Sequence, residues 1–255
     1  MIILWGPSSS GKTALLANMY LRSASVENDW EIFPTPTSMP EIMRHSQGIE
    51  FQNEFPIGTG FAAGAEHDLS YSFRNKKTRE VFLFETKDLA GGRFQGEMSP
   101  EILESLKSAE GIVLILDFDR GRHRETEVIN ALGQMFVSRT EGKTEIEKDN
   151  RPLAVCLSKV DQFVNNPEEY QRLEQEPEKF VRGWLGEDLL RRLDQFHSKL
   201  KFFPVSSVGI RLSFGSVQKS VFFDERLILR VTKRGKPINI VEPFIWIFEQ
   251  LQEAP

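Results

Sequence analysis

The stretch GPSSSGKT, residues 6–13, decides which fold this sequence predicts. It has the spacing glycine, four residues, glycine, lysine and threonine, and it lies between the apolar run of residues 1–5 and a predicted helix at residues 14–22. A phosphate-binding loop requires this order of strand, loop and helix, and the alternative is a glycine-serine turn before a helix. The context on both sides favours the phosphate-binding loop.

This loop offers several groups that attract phosphate. Its glycines let consecutive backbone N–H groups point inward at phosphate oxygens, and the positive end of the helix dipole faces the same anion. Lys12 adds a positive charge and a catalytic contact, and Thr13 would place its hydroxyl on Mg²⁺. The predicted nucleotide contacts come from Gly6, Ser8, Ser9, Ser10, Gly11, Lys12, Thr13 and Ala14.

Composition limits the classes of partner. The chain has 255 residues, 27% of them charged, and a net charge of -5. This balance does not favour binding to nucleic acid or to an anionic membrane surface. The first residues are too few and uncharged for a signal peptide, and no apolar run is long enough to span a bilayer. We therefore expect a cytoplasmic protein with no nucleic-acid partner and no membrane insertion.

The pattern along the chain predicts an α/β fold. The runs at residues 112–117 and 153–157 are apolar rather than alternating, as in central parallel strands that are covered on both faces. The run at residues 69–73 alternates instead, and the turn RNKKTR after it predicts a hairpin that feeds an edge strand. The predicted strands are residues 2–5, 69–73, 80–85, 111–118, 152–158 and 201–205, and the predicted helices are residues 13–22, 100–108, 125–138, 187–200 and 240–251.

Three stretches interrupt this pattern. Residues 23–64 are rich in proline and predict a functional lid, with a short helix that Ser38 caps and that holds Pro40 in its first turn. Residues 141–151 predict a charged surface loop, and residues 210–239 predict a small hairpin before the last helix. We expect residues 1–255 to form a single domain with insertions at 23–64 and 210–239.

The stretch SKVD, residues 158–161, follows a predicted central strand and bears on the choice of base. A carboxylate at Asp161 can accept hydrogen bonds from the ring N–H and the exocyclic amino group of guanine, whereas adenine has no matching pair of donors. Lys159 would lay its methylene stem along the base and keep its ammonium in solvent. The alternative is an ordinary polar turn. Ser158, Lys159, Asp161, Ser206 and Ser207 are the predicted base contacts, the two serines coming from PVSSVG.

The stretch ETKDLAGG predicts the metal and γ-phosphate contacts. Asp88 and Gly91 have a spacing in which the carboxylate holds a Mg²⁺-bound water and the glycine N–H contacts the terminal phosphate. Loss of that phosphate would let the segment after Gly91 relax, as in a switch. Asp117, at the end of LILD, is the competing acidic residue and would suit an ATPase. We favour Asp88, because Gly91 follows it and Asp161 lies downstream.

One more Mg²⁺ ligand should come from the lid. Thr59, in FPIGTG, is the predicted ligand because it lies just before the predicted hairpin. Thr35 and Thr37 are alternatives, set aside because they are distant in sequence from the strand at residues 69–73 and lie where the lid is predicted to be helical.

In order, GPSSSGKT, Thr59, DLAG, SKVD and SSVG resemble the five boxes of the Ras-like GTPases of the translation-factor-related P-loop class. The proline-rich lid and VEPFIWIF are more similar to prokaryotic GTPase domains such as the double-GTPase group. The resemblance implies a mostly parallel six-stranded sheet with helices on both faces, with one antiparallel edge strand from the hairpin. It also implies binding of GTP or GDP with Mg²⁺, and the switching of a protein effector or activating partner.

The sequence departs from that family where water is activated. Gly92 stands where the Ras-like enzymes have a glutamine, so intrinsic hydrolysis should be slow. Arg93 is a candidate catalytic charge, and a solvent-facing arginine is the alternative; a partner could also supply an arginine. Ser158 replaces an asparagine, which predicts modest guanine affinity. Three functions stay open: a GTPase switch, a nucleotide-dependent binding module with negligible hydrolysis, and an ATPase or small-molecule kinase that uses Asp117.

Overall fold

The computed structural model describes most of the chain. The described residues are 1–7, 9–23, 29–52, 54–55, 69–86, 100–117, 130–134, 136–137, 148–225 and 229–253. Within these ranges, no helix is both long enough and apolar enough to cross a membrane.

A seven-stranded sheet forms the centre of the fold. Its strands are β1 (Ile2–Trp5), β2 (Trp30–Pro34), β3 (Leu69–Asn75), β4 (Val81–Thr86), β5 (Gly111–Asp117), β6 (Leu153–Ser158) and β7 (Leu200–Pro204). They lie in the order β2-β3-β4-β1-β5-β6-β7. Strand β3 is antiparallel to both of its neighbours, and every other pair is parallel. The predicted α/β class with a mostly parallel sheet is confirmed, and its antiparallel pairing is at one edge, where β3 lies next to the edge strand β2.

The sheet has seven strands where six were predicted. The additional strand, β2, lies within the predicted lid and pairs with β3, where Ile32 is opposite Phe73. Its side chains alternate, because Trp30 and Ile32 are buried while Phe33 is exposed. Such a short run, ending at a proline, resembles a loop in sequence, and its pairing with β3 makes it a strand.

The lid also contains the predicted short helix, which is longer than expected. Helix α2 (Met39–Phe51) follows Ser38 and holds Pro40 in its first turn. Ser38 does not cap it through its side chain. Its hydroxyl instead accepts a hydrogen bond from the backbone N–H of Ser70, at 2.9 Å. The serine therefore joins the start of α2 to β3.

Helices cover both faces of the sheet. They are α1 (Lys12–Ser23), α2, α3 (Pro100–Ser108), α4 (Pro167–Gln175), α5 (Pro177–Leu185), α6 (Glu187–Phe196) and α7 (Glu242–Gln252), and residues 130–134 and 136–137 are also helical. Side chains of β5 alternate between two cores: Ile112 faces α3, α5 and α6, whereas Val113 faces α1 and α7. Helices α4 and α5 were not predicted, because their charged sequences resemble a loop.

Residues 206–238 form more β-structure than the one predicted hairpin. The strands are β8 (Ser206–Ser213), β9 (Ser216–Gln218), β10 (Val221–Phe223), β11 (Leu229–Val231) and β12 (Lys236–Ile238). Strand β8 lies between β9 and β12, and β10 pairs with β11. A Cβ atom at Gly209, where φ is +74°, would overlap the carbonyl of Lys236. This close approach explains why glycine stands there.

The end of the predicted surface loop is buried. The guanidinium of Arg151 donates to the carboxylate of Asp149 and to the carbonyl oxygens of Leu106, at 2.7 Å, and Ala109. Burial opposes ionisation of Asp149, but the hydrogen bonds and charge of Arg151 outweigh it and hold its pKa below the ordinary carboxyl value. This ion pair ties the end of α3 to the chain entering β6.

Candidate nucleotide-binding site

The predicted binding residues follow the carboxyl ends of neighbouring parallel strands. The loop of residues 6–13 follows β1, Asp117 ends β5, Ser158 ends β6, and Ser206 comes just after β7. Strands β1, β5, β6 and β7 are adjacent in this order. Ligands of open α/β sheets bind at this edge. The fold therefore brings the predicted phosphate and base contacts to one edge.

The loop after β1 closes around the side chain of Lys12. Helix α1 begins at Lys12, whose ammonium donates to the carbonyl oxygens of Gly6, at 3.0 Å, and Pro7, at 2.9 Å. Lys12 is only 6% exposed. Its charge is thus held inside the loop, at the amino end of a twelve-residue helix. Both features favour an anion at this position.

The backbone of the loop depends on its glycines. A Cβ atom at Gly6 would overlap the carbonyl oxygen of Ile115 in β5, so the loop lies directly against that strand. Gly11 has a φ of +94° and Ser9 a φ of +62°. The hydroxyl of Ser10 is fully buried and has no hydrogen-bond partner among the described residues. A buried polar group of this kind fits a ligand that accepts or donates a hydrogen bond.

The remaining predicted loop residues lie on α1 or outside the described ranges. Thr13 is the second residue of α1, partly exposed, and Ala14 is buried beside it. Ser8 lies outside the described residues.

Residues Ser158 and Lys159 are tied to the end of β5. The hydroxyl of Ser158 donates to the carbonyl oxygen of Leu116, at 3.0 Å. The ammonium of Lys159 donates to the carboxylate of Asp117, at 2.5 Å. The prediction that this ammonium stays in solvent is therefore wrong. Asp117 ends the central strand, as predicted, and in addition forms an ion pair with the base loop.

Asp161 is buried at the start of a short 3-10 helix, Val160–Gln162. Its carboxylate accepts a hydrogen bond from the hydroxyl of Ser206, at 2.5 Å, and that hydroxyl accepts one from the N–H of Gly209, at 2.8 Å. Burial raises the pKa of Asp161, and the bond from Ser206 offsets this only in part. A buried carboxylate with few donors is suited to bind a ligand that brings N–H groups.

Ser206 and Ser207 occupy the first positions of β8. The sequence predicted that this stretch closes over the base. The structure gives Ser206 a different contact, because its hydroxyl orients Asp161. Ser207 is partly exposed next to it. The sequence alone did not indicate the Ser206 contact, because the contact depends on β6 and β7 being neighbours in the sheet.

The predicted switch residues lie outside the described ranges. These are Thr59, Asp88, Gly91 and Arg93, together with Gly92. Of the alternatives to Thr59, Thr35 is distant from β3 in sequence but adjacent to it in space: its hydroxyl lies 2.7 Å from that of Ser70. Thr37 lies 3.1 Å from Thr35. Among the described residues, no group of histidine, cysteine, aspartate and glutamate side chains could hold a metal.

Similarity to known proteins is confined to structure. No protein-family model matches the chain, and no curated protein matches it. Similar solved structures include the GTP-bound GTPase-like domain of Ski7 from S. cerevisiae, with 14% identity and a TM-score of 0.46 over 100% of this chain and 50% of that one. This chain therefore spans half the length of the Ski7 chain.

Two further structures are similar. One is the small COPII coat GTPase SAR1 from Encephalitozoon cuniculi in complex with GDP, with 17% identity and a TM-score of 0.39 over 82% of this chain and 69% of that one. The other is the SRb-GTP/SRX complex from Chaetomium thermophilum, with 15% identity and a TM-score of 0.42 over 84% and 93%. We base the functional assignment on the residues at the sheet edge.

Proposed function

We propose that this chain is a GTP-binding and GTP-hydrolysing switch that uses Mg²⁺ and controls a protein partner in the cytoplasm. One observation carries the proposal: the lysine-centred loop after β1 and the buried Asp161 carboxylate lie at the same edge of the sheet. The first suits a polyphosphate, and the second suits a base with two N–H donors. The sequence order of the boxes supports a Ras-like GTPase, and the prokaryotic double-GTPase group stays part of this proposal.

Guanine recognition rests on Asp161. The hydroxyl of Ser206 donates to one carboxylate oxygen, Oδ1, and the N–H of Gly209 holds that hydroxyl in place. Both oxygens of an ionised carboxylate accept hydrogen bonds, so the group can receive the ring N–H and the amino group of guanine. Adenine lacks this donor pair, so the charge of the buried carboxylate would receive no hydrogen bonds from the base. Such a mismatch produces strong discrimination between bases.

Phosphate binding rests on Lys12 and the start of α1. Lys12, already inside the loop, would neutralise charge on the β- and γ-phosphates, and the first N–H groups of α1 face the same anion. Thr13 would hold Mg²⁺ with Thr59 and Asp88. When bound, Mg²⁺ supplies positive charge where the transferred phosphate becomes more negative. The buried hydroxyl of Ser10 and the lysine in the loop fit such a ligand.

Thr59 stays the proposed lid ligand. Phe55 packs against Ala14, Ala17 and Ile49, so the lid reaches the first turns of α1 close in sequence to Thr59. Ala14 is adjacent to Thr13, the other proposed threonine ligand. This packing supports Thr59 over Thr35, whose hydroxyl bonds to Ser70 on β3.

We expect slow hydrolysis without a partner. Gly92 offers no side chain to orient water, and Arg93 is the proposed charge in cis. An arginine that reaches the phosphate accelerates hydrolysis by about three to five orders of magnitude in GTPases.

The alternatives differ in measurable ways. A binding module would hold GTP without releasing phosphate. An ATPase would use Asp117 as its acidic residue, but the carboxylate of Asp117 is paired with Lys159 and its side chain is only 2% exposed. That pairing weighs against Asp117 as the main metal contact.

Phosphate release from GTP, with Mg²⁺, tests the proposal. Wild-type protein should release phosphate at about 10⁻³ per second or slower. Lys12→Ala should stop release and weaken GTP binding about 30-fold, the loss expected when a charged hydrogen-bonding group is removed. Lys179→Ala, at an exposed helix position, is the matched control. GTP binding without release would favour the binding module, and release from ATP alone would contradict the proposal.

A further inference from the structure

We propose that Asp117 is a positioning residue for guanine recognition and that it acts through Lys159. The inference rests on the proposed function and adds a role for the end of β5. The carboxylate of Asp117 fixes the lysine ammonium, and with it the course of the methylene stem that would lie along the base.

The two side chains meet across adjacent strand ends. Asp117 in β5 is the register partner of Ser158 in β6, and Lys159 is the next residue. The Asp117 side chain is 2% exposed and that of Lys159 is 26% exposed. The carboxylate is therefore buried, while part of the lysine stays accessible to a ligand. Solvent screens the attraction in an ion pair with one buried partner less than it screens the attraction in a pair on the surface.

A second contact anchors the same loop. Ser158 donates to the carbonyl oxygen of Leu116, so two consecutive base-loop residues bond to two consecutive residues of β5. Lys159 has a φ of +57°, in the left-handed region that lysine seldom adopts. Contacts on both sides of this backbone hold it there. Asp161 follows two residues later, so the anchor also affects the carboxylate that selects the base.

Pre-organisation explains why this pair would matter for binding. A lysine side chain has many rotamers, and ordering it on binding costs free energy. The ion pair with Asp117 orders it before the base arrives. Without the carboxylate, the ammonium would turn to solvent and the stem would leave the position along the base.

The test is a double-mutant cycle in which the affinities for GTP and ATP analogues are measured for each variant. Asp117→Asn should weaken GTP binding about tenfold and leave weak ATP binding nearly unchanged. Lys159→Met should weaken GTP binding to a similar extent. The double variant should match Lys159→Met within about twofold, because Asp117 has no lysine left to position.

The control is another buried carboxylate with a cationic partner. Asp149 pairs with Arg151 at the opposite end of β6. Asp149→Asn should lower stability and leave the ratio of GTP to ATP affinity unchanged, which separates positioning from a general loss of packing.

Each outcome decides a different point. Unchanged GTP affinity in Asp117→Asn, or a further loss in the double variant relative to Lys159→Met, would overturn the positioning role. If Asp117→Asn does not fold, the GTP affinity of Lys159→Met is compared with that of wild type and of the double variant, and this comparison tests the positioning role. The double variant can be used because it leaves no unpaired buried charge. Wild-type protein without guanine preference would overturn the proposed function and the inference together.

Discussion

At the scale of single residues, the proposed role of Asp161 in guanine binding rests on its burial. Its pKa is raised because burial disfavours the charged form, and the hydroxyl of Ser206 compensates only in part. Guanine would bring two further donors and stabilise the charge. In our proposal, these donors would offset part of the free energy that burial of this carboxylate costs.

A pH dependence follows from this shift. The pKa of Asp161 should be lower with guanine bound than in the free protein, so guanine preference is complete above the free protein's pKa. It is lost as the pH falls through that raised pKa, because a protonated carboxyl no longer accepts both donors. We expect the ratio of GTP to ATP affinity to fall as the pH is lowered from neutral through the raised pKa of Asp161, measured by titration at each pH.

Ser206→Ala provides the control for this prediction. Removing the hydroxyl removes a hydrogen bond that lowers the pKa of Asp161, so the loss of guanine preference should begin at a higher pH. A ratio that does not change with pH in either protein would contradict a role for this carboxylate.

Some site residues could be found from the sequence, and others could not. The Gly6 and Lys12 spacing is local, and the structure places that loop between β1 and α1 as predicted. The pairing of Asp117 with Lys159 depends on which strands are neighbours and on their register, which single-sequence patterns do not contain. The contact of Ser206 with Asp161 was not predicted either, because it also depends on which strands are neighbours.

At the scale of elements, buried strands were predictable and the short edge strand was not. Strands β5 and β6 are apolar up to their last residues, Asp117 and Ser158, and the predicted bounds of each strand differ from the structure by one residue at one end. Strand β2 has five residues and ends in proline, so only its pairing with β3 distinguishes it from a loop. Local sequence gives a strong signal for burial and a weak one for edge pairing.

The β-structure after Ser206 depends on close backbone contact. Gly209→Ala would place a Cβ atom against the carbonyl of Lys236 in β12, in a backbone conformation that alanine tolerates poorly. We expect the free energy of unfolding to fall by about 2 kcal/mol or more. Chemical denaturation measures this change.

Gly183→Ala is the matched control. Gly183 lies in α5, where an added Cβ atom meets nothing within 4 Å. Alanine is a better helix former, so stability should rise by about 0.5 to 1 kcal/mol. Equal effects of the two substitutions would contradict the close contact between β8 and β12.

At the scale of the whole molecule, the site depends on the order of the strands. The phosphate loop follows β1, while the base residues follow β6 and β7, which are distant in sequence and near in space. The parallel arrangement brings their carboxyl ends to one edge, so the loop that holds Lys12 and the segment with the buried Asp161 follow strands that end at the same edge. We propose that this edge binds a guanine nucleotide.

Calorimetric titration with Mg²⁺ and non-hydrolysable GTP and ATP analogues measures whether the protein prefers guanine. Wild-type protein should bind the GTP analogue at least about tenfold more tightly, and Asp161→Ala should remove the difference, since each tenfold ratio corresponds to about 1.4 kcal/mol. Asp194→Ala, at an exposed position of α6, should keep the preference. Equal binding of both analogues by wild-type protein, or tighter binding of the ATP analogue, would contradict the account.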